Sequence, residues 1–189
     1  MSLDHKKRAE NTVDAVSNLF DGQKIDGYAM VNMGAIVPVN DMVGGVIVKI
    51  TDEFPGSKTL IKGKTVTLKG NDAETFVRER KDVGDGLNDN RMKRQQVYEV
   101  AFKQAFYKKC NENKKFPLEV YNTLQDYMTT NITAQQFSKL AVLMASAKAD
   151  TKLTVKGKEG FDDDGWQTFT PDKDSLKQVE LELFYKKQK

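Results

Sequence analysis

Hydrophobic positions along the chain fall in short blocks whose period switches between helical and extended. Val13, Val16, Leu19 and Phe20 recur at helical spacing, which predicts a helix over Ala9–Phe20 stopped by Asp21-Gly22. Tyr28–Met33 reads as a buried strand, followed by a short helical piece that Pro38 starts or kinks. Gly44-Gly45 turns the chain into Val46–Ile50, where Val46, Val48 and Ile50 alternate as in a half-buried strand, and Lys64–Leu68 is a second β segment. Asn71 with Glu74 three positions on has the form of a capping box, opening a short helix through Phe76 and Val77. A polar loop over Lys81–Asn90 precedes a long helix predicted from Arg91 to Asn113.

Pro117 suits the first turn of the next helix, expected to end near Thr130, and Thr133 with Gln136 caps another that runs to Lys148. Leu153–Val155 and Trp166–Phe169 read as strands, and Thr170-Pro171 opens a last helix with Leu176, Val179, Leu183 and Phe184 on one face. Strands and helices interleave throughout. The expected class is therefore α/β, with a central mixed sheet and helices on both faces. Residues 1–189 carry no repeat, low-complexity run or linker, so one domain is expected, with residues 1–8 as a tag remnant or frayed start.

Composition narrows the chemistry. The chain has 189 residues, 39% hydrophobic and 30% charged, with a formal charge of +3, and this balance argues against nucleic acid as a partner. His5 is the one histidine and Cys110 the one cysteine, so an internal disulfide and a Cys/His zinc site are excluded. Nucleophilic triads would have to use His5. No run reaches the roughly 18 apolar residues of a membrane span.

The most informative stretch runs from Phe76 to Gln96. Arg91 and Arg94, three positions apart, share a helix face if the helix starts where the pattern places it. Three cations (Arg91, Lys93, Arg94) then occupy a first turn where the helix dipole favours acids. Such a break with local preference fits an anion-binding role, because exposed N–H groups and guanidinium forks converge on the same oxygens. Arg78 and Arg80 flank the loop from its other side. If the loop closes, four guanidiniums surround one space, which suits a diphosphate. The competing reading is a solvated basic surface paired with Glu79, Asp82, Asp85 and Asp89. On the anion reading, replacing Arg94 with Gln leaves stability unchanged or slightly raised while weakening diphosphate binding. Other candidates are weaker: Asp162-Asp163-Asp164-Gly165 lacks the ligand spacing of an EF-hand loop, His5 reads as an exposed terminal residue, and Cys110, Phe102, Phe106 and Leu140 read as packing.

In this stretch the sequence resembles the LytR-CpsA-Psr family of bacterial cell-envelope proteins. The matching features, in order, are Asn32 after a strand, Gly44-Gly45, Leu68-Lys-Gly70-Asn-Asp-Ala73, Phe76-Val-Arg78-Glu-Arg80, Gly84-Asp85-Gly86 and Asn90-Arg91-Met-Lys-Arg94-Gln95-Gln96. Thr130-Asn131-Ile132-Thr133 follows as the entry to a helix. The resemblance implies a phosphotransferase that moves glycopolymers, such as teichoic acid or capsular polysaccharide, from a polyprenyl diphosphate carrier to peptidoglycan. It implies a bacterial cell-surface location, membrane-anchored in the full-length protein, and Mg²⁺ as cofactor with ligands outside this chain. Arg78, Arg80, Arg91 and Arg94 match the arginines that bind the diphosphate, while the catalytic residues stay unassigned. The family's N-terminal portion is not found here, so the chain reads as the C-terminal two-thirds of such a domain. The alternatives are a non-enzymatic module that binds polyprenyl phosphate or wall polymer, and a transcriptional regulator or attenuator.

Overall fold

The computed structural model describes residues 3–84, 86, 88–147 and 153–185. The chain groups into two compact units: residues 1–9 with 27–147, and residues 10–26 with 148–189. The first helix, α1, spans Leu3–Leu19, so it begins six positions before Ala9 rather than fraying there. It stops at Asp21 and Gly22, both at positive φ (50° and 81°).

In the first unit, β1 (Ala29–Val31) leads through a 3₁₀ turn into α2 (Ile36–Met42). The strands β2 (Val46–Lys49) and β3 (Thr65–Leu68) follow, then the helices α3 (Asn71–Arg78), α4 (Asn88–Glu112) and α5 (Phe116–Leu124). The strand β4 (Met128–Thr130) and helix α6 (Ala134–Ser146) complete it. The α/β class holds, yet the described strands form three separate two-stranded ladders, β1–β4, β2–β3 and β5–β6, rather than one central sheet. All three ladders are antiparallel, each strand has three to five residues, and among the described residues none pairs with a second neighbour.

The alternation in β2 works as the sequence indicates: Val46 and Val48 are buried while Ile47 points out. With Ile50, Leu60, Leu68 and Phe76 they form a deeply buried part of the core. Each such side chain contributes about 1.5–3 kcal/mol on burial. Gly45 enters this ladder at φ 89°, where a Cβ would lie 2.7 Å from the Leu68 carbonyl oxygen, so both the backbone and the space exclude any other residue. A stacked row of Tyr98, Phe102 and Phe106, at ring spacings of 5.9 and 6.1 Å, runs down α4 toward the core, as expected for packing.

Three local expectations are corrected. The Asn71/Glu74 capping box does not form: Asn71 is already helical, and Gly70 at φ 52° occupies the cap without a side-chain bond. The helix after Pro117 ends at Leu124, and Met128–Thr130 is a strand that pairs with β1. The late strands are β5 (Gly157–Phe161) and β6 (Gln167–Pro171), displaced from the stretches the pattern marks. By contrast, the Thr133/Gln136 capping box is present, with the Gln136 amide donating to Thr133 Oγ1 at 3.3 Å.

The second unit joins the rest of α1 to the β5–β6 hairpin and to α7 (Lys173–Phe184), which Asp172 caps. Phe20 meets Phe184 edge-on at 5.6 Å, and Gln23 Nε2 donates to Tyr185 Oη at 2.8 Å.

Candidate diphosphate-binding cleft

The cleft is built from the end of α3 and the start of α4. Ala73, Phe76 and Val77 are buried and fix one face of α3 against the core, which leaves Arg78, its last residue, on the outside. The chain turns extended at Glu79 (φ −63°, ψ 138°), and Arg80 follows in the open. Val83, 3% exposed, tacks the loop down, and its amide donates to the Arg80 carbonyl at 3.2 Å.

Arg78, Arg80, Lys81 and Arg91 line one open cleft of about 480 Å³, together with Glu74, Thr75 and Glu79. Two of the cations have protein partners: Arg78 pairs with Glu74 at 2.8 Å, and Arg91 Nη2 donates to Asn88 Oδ1 at 2.7 Å. Arg80 and Lys81 make no ion pair among the described residues. Arg91 Nε is buried and has no acceptor among the described residues. An orphaned buried donor costs about 1–3 kcal/mol, a cost removed if the Arg91 side chain turns to meet an anionic oxygen in the cleft. Lys81 and the two glutamates belong to the cleft but are not singled out by the motif. Lys81 follows the Arg-x-Arg directly, so adjacency was the available signal.

Arg94 lies elsewhere. α4 begins at Asn88, three residues earlier than the pattern suggests, so Arg94 sits in the second turn and Asp89 supplies the acid that the first turn favours. A step of three residues falls about 60° short of a full helical turn. Arg91 therefore reaches the cleft while Arg94, 3% exposed, points inward. Its Nη1 pairs with Asp52 at 2.6 Å, its Nε donates to the Phe76 carbonyl at 3.0 Å, and its Nη2 donates to the Glu79 carbonyl. The guanidinium also lies 5.4 Å from the centre of the Phe54 ring. Three of the four arginines thus share the cleft, and the fourth stands behind it. None of them pairs as the solvated-surface reading has it among the described residues; Asp85 lies outside those residues. Asp52 gave no signal in the sequence, being 42 positions from Arg94.

The remaining candidates stay peripheral. His5 is exposed on α1 and borders a second cleft of about 370 Å³ with Met30, Asn32, Asp126 and Tyr127. Cys110 is fully buried, and that burial pushes its thiol pKa above the ordinary value. Asp162 closes the β5–β6 turn by accepting from the Trp166 amide at 2.7 Å, which gives the acidic run a structural task. Among the described residues no three His, Cys, Asp or Glu side chains converge on a point that could hold a metal. No described helix is long and apolar enough to cross a membrane.

Solved structures share this fold, and a known relative shares sequence over about half of the chain. Solved structures with the same fold include Bacillus subtilis TagV (TM-score 0.68, 24% identity, covering 92% of this chain and 68% of that one). An Enterococcus faecalis protein described as a transcriptional regulator matches similarly (TM-score 0.68, 21% identity, 93% and 64%), as does TagT bound to LI-WTA (TM-score 0.65, 21% identity, 91% and 64%). The Corynebacterium glutamicum cell wall biosynthesis protein LcpA is 40% identical over 91 residues, which are 47% of this chain and 17% of LcpA. The chain therefore spans about two-thirds of the solved chains, and the matching segment is a small part of LcpA. The LytR_cpsA_psr family matches residues 7–184, a span that includes the whole arginine cleft, and the chain belongs to that family.

Proposed function

We propose that the cleft holds the diphosphate of a polyprenyl diphosphate-linked glycopolymer, and that the whole protein transfers the polymer to peptidoglycan at the bacterial cell surface. The observation that carries this reading is the unsatisfied cationic character of the cleft: among the described residues Arg80 and Lys81 lack carboxylate partners, and Arg91 Nε is a buried donor without an acceptor. A diphosphate, with more negative charge than a monophosphate and oxygens on two phosphorus atoms, matches a cleft lined by four cations better. Family membership, LcpA's role in cell wall biosynthesis and the TagT neighbour bound to LI-WTA support the same substrate class.

In the proposed reaction an acceptor hydroxyl attacks the phosphorus that bears the glycopolymer. A new P–O bond forms, the bridging P–O bond breaks, its electron pair leaves with polyprenyl phosphate, and the hydroxyl proton passes to a base. Arg78, Arg80 and Arg91 would neutralise charge gathering on the bridging and terminal oxygens, with Arg78 exchanging Glu74 for phosphate. Mg²⁺ would assist in the whole protein by neutralising phosphate charge.

Calorimetric titration with farnesyl diphosphate and farnesyl monophosphate tests the cleft. The diphosphate is expected to bind at least about tenfold more tightly, equivalent to about 1.4 kcal/mol. Equal affinities overturn the reading. Turnover of lipid-linked glycopolymer by the whole protein separates a transferase from a module that only binds.

A further inference from the structure

Resting on that reading of the cleft, we infer that Arg94 is a positioning residue: anchored by Asp52, it fixes the turn that carries Arg78 and Arg80 relative to the helix that carries Arg91. The device begins at the C-terminal end of α3. The last carbonyls of a helix have no partner within it. Here Thr75 is satisfied by the Glu79 amide at 3.0 Å, while the Phe76 and Val77 carbonyls receive side chains from α4. Arg94 Nε donates to Phe76 and Gln95 Nε2 donates to Val77 at 3.2 Å. Arg94 Nη2 reaches one step further, to the carbonyl of Glu79, which sits between Arg78 and Arg80.

One rigid, planar fork therefore spans the turn on both sides of Arg78. Its orientation is set by Asp52, whose side chain is 16% exposed and whose carboxylate pairs with Nη1, while the ring of Phe54 only packs beneath it. Both come from the segment after β2, so the cleft's two walls are referenced to the β2–β3 core. Arg94 does not line the cleft itself. Its charge is matched by Asp52, so its effect on a ligand passes through geometry rather than through direct contact. Lysine cannot replace it, because a single ammonium cannot bridge the Phe76 and Glu79 carbonyls and a carboxylate in one plane.

The test uses this chain, with farnesyl diphosphate as probe and thermal unfolding measured in the same buffer. Arg94→Lys is expected to bind about tenfold more weakly and Asp52→Asn about threefold more weakly. Phe54→Leu trims the core beneath the fork and leaves the three hydrogen bonds. It is expected to lower the melting temperature while binding like the parent. Parental affinity in both Arg94→Lys and Asp52→Asn overturns the inference, as does an equal loss of affinity in Phe54→Leu, since affinity would then simply follow stability. If Arg94→Lys does not fold, Asp52→Asn against Phe54→Leu decides by the same criterion. A parent chain that binds no farnesyl diphosphate removes the reading of the cleft and this inference with it, whereas a binding parent with unaffected variants removes the inference alone.

Discussion

Tyr98 Oη donates to Asn40 Oδ1 at 3.1 Å, and the fully buried Asn40 in turn donates its amide to the Leu68 carbonyl at 2.9 Å and to Asp41 Oδ1 at 3.0 Å. One polar chain thus links α4, α2 and β3 through the middle of an apolar core. Its members are satisfied, and a satisfied buried network specifies a unique packing because any shift leaves a polar atom unpaired.

The first prediction concerns alkaline pH. Burial, with the Asp41 carboxylate adding to it, raises the Tyr98 pKa well above the usual tyrosine value. The folded state therefore keeps its proton where the unfolded chain has already lost it. The associated stability is complete below about pH 10 and declines above it, by up to about 1.4 kcal/mol per pH unit. Denaturant midpoints measured between pH 8 and 11 should fall more steeply for the parent than for Tyr98→Phe. Parallel slopes would contradict the burial of the phenol.

A second prediction separates the arginines. Arg80 is exposed, so Arg80→Gln should change stability by no more than about 0.5 kcal/mol. It should still weaken farnesyl diphosphate binding about tenfold to a hundredfold, the equivalent of one charge-assisted hydrogen bond. Arg94→Gln should instead destabilise by about 3–5 kcal/mol, because it strands Asp52 and two carbonyls that now face a guanidinium. Urea midpoints and titrations on both variants check the pair. This outcome for Arg94 reverses the stability-neutral substitution that the sequence pattern implies.

A third prediction follows from Cys110. Fully buried and with its thiol pKa raised by that burial, it should react with a thiol-specific reagent at pH 8 only at the rate of unfolding. Adding denaturant should release the full reactivity. Rapid modification of the native chain would show that the α4 C-terminal half opens far more readily than its packing suggests.

What the sequence made legible is what is settled locally. The Thr133/Gln136 box, Pro117 in the first turn of α5 and the alternation of Val46 and Val48 depend on residues a few positions apart. The same is true of the placement of Arg78 at the end of α3. Asn71/Glu74 failed because Gly70, free to adopt positive φ, lets the helix begin one residue early and takes the cap position. β4 was hidden because Met128-Thr-Thr130 becomes a strand only through a partner in β1. The inward turn of Arg94 was illegible for a related reason. Its phase depended on where α4 starts, and its destination, Asp52, comes from the other end of the core.

The β1–β4 ladder bears on the order in which the first unit assembles. Thr130 Oγ1 donates to the Tyr28 carbonyl 102 positions away, and the ladder has only three paired positions. Closing so long a loop loses several kcal/mol of chain entropy by the logarithmic loop law, more than three strand pairs return. The β2–β3 hairpin, whose strands are joined by a much shorter connection, can form early on its own. The entropic cost of the β1–β4 closure falls once α4 and α5 have packed and brought β4 close to β1, so this small ladder depends on the helices between its strands.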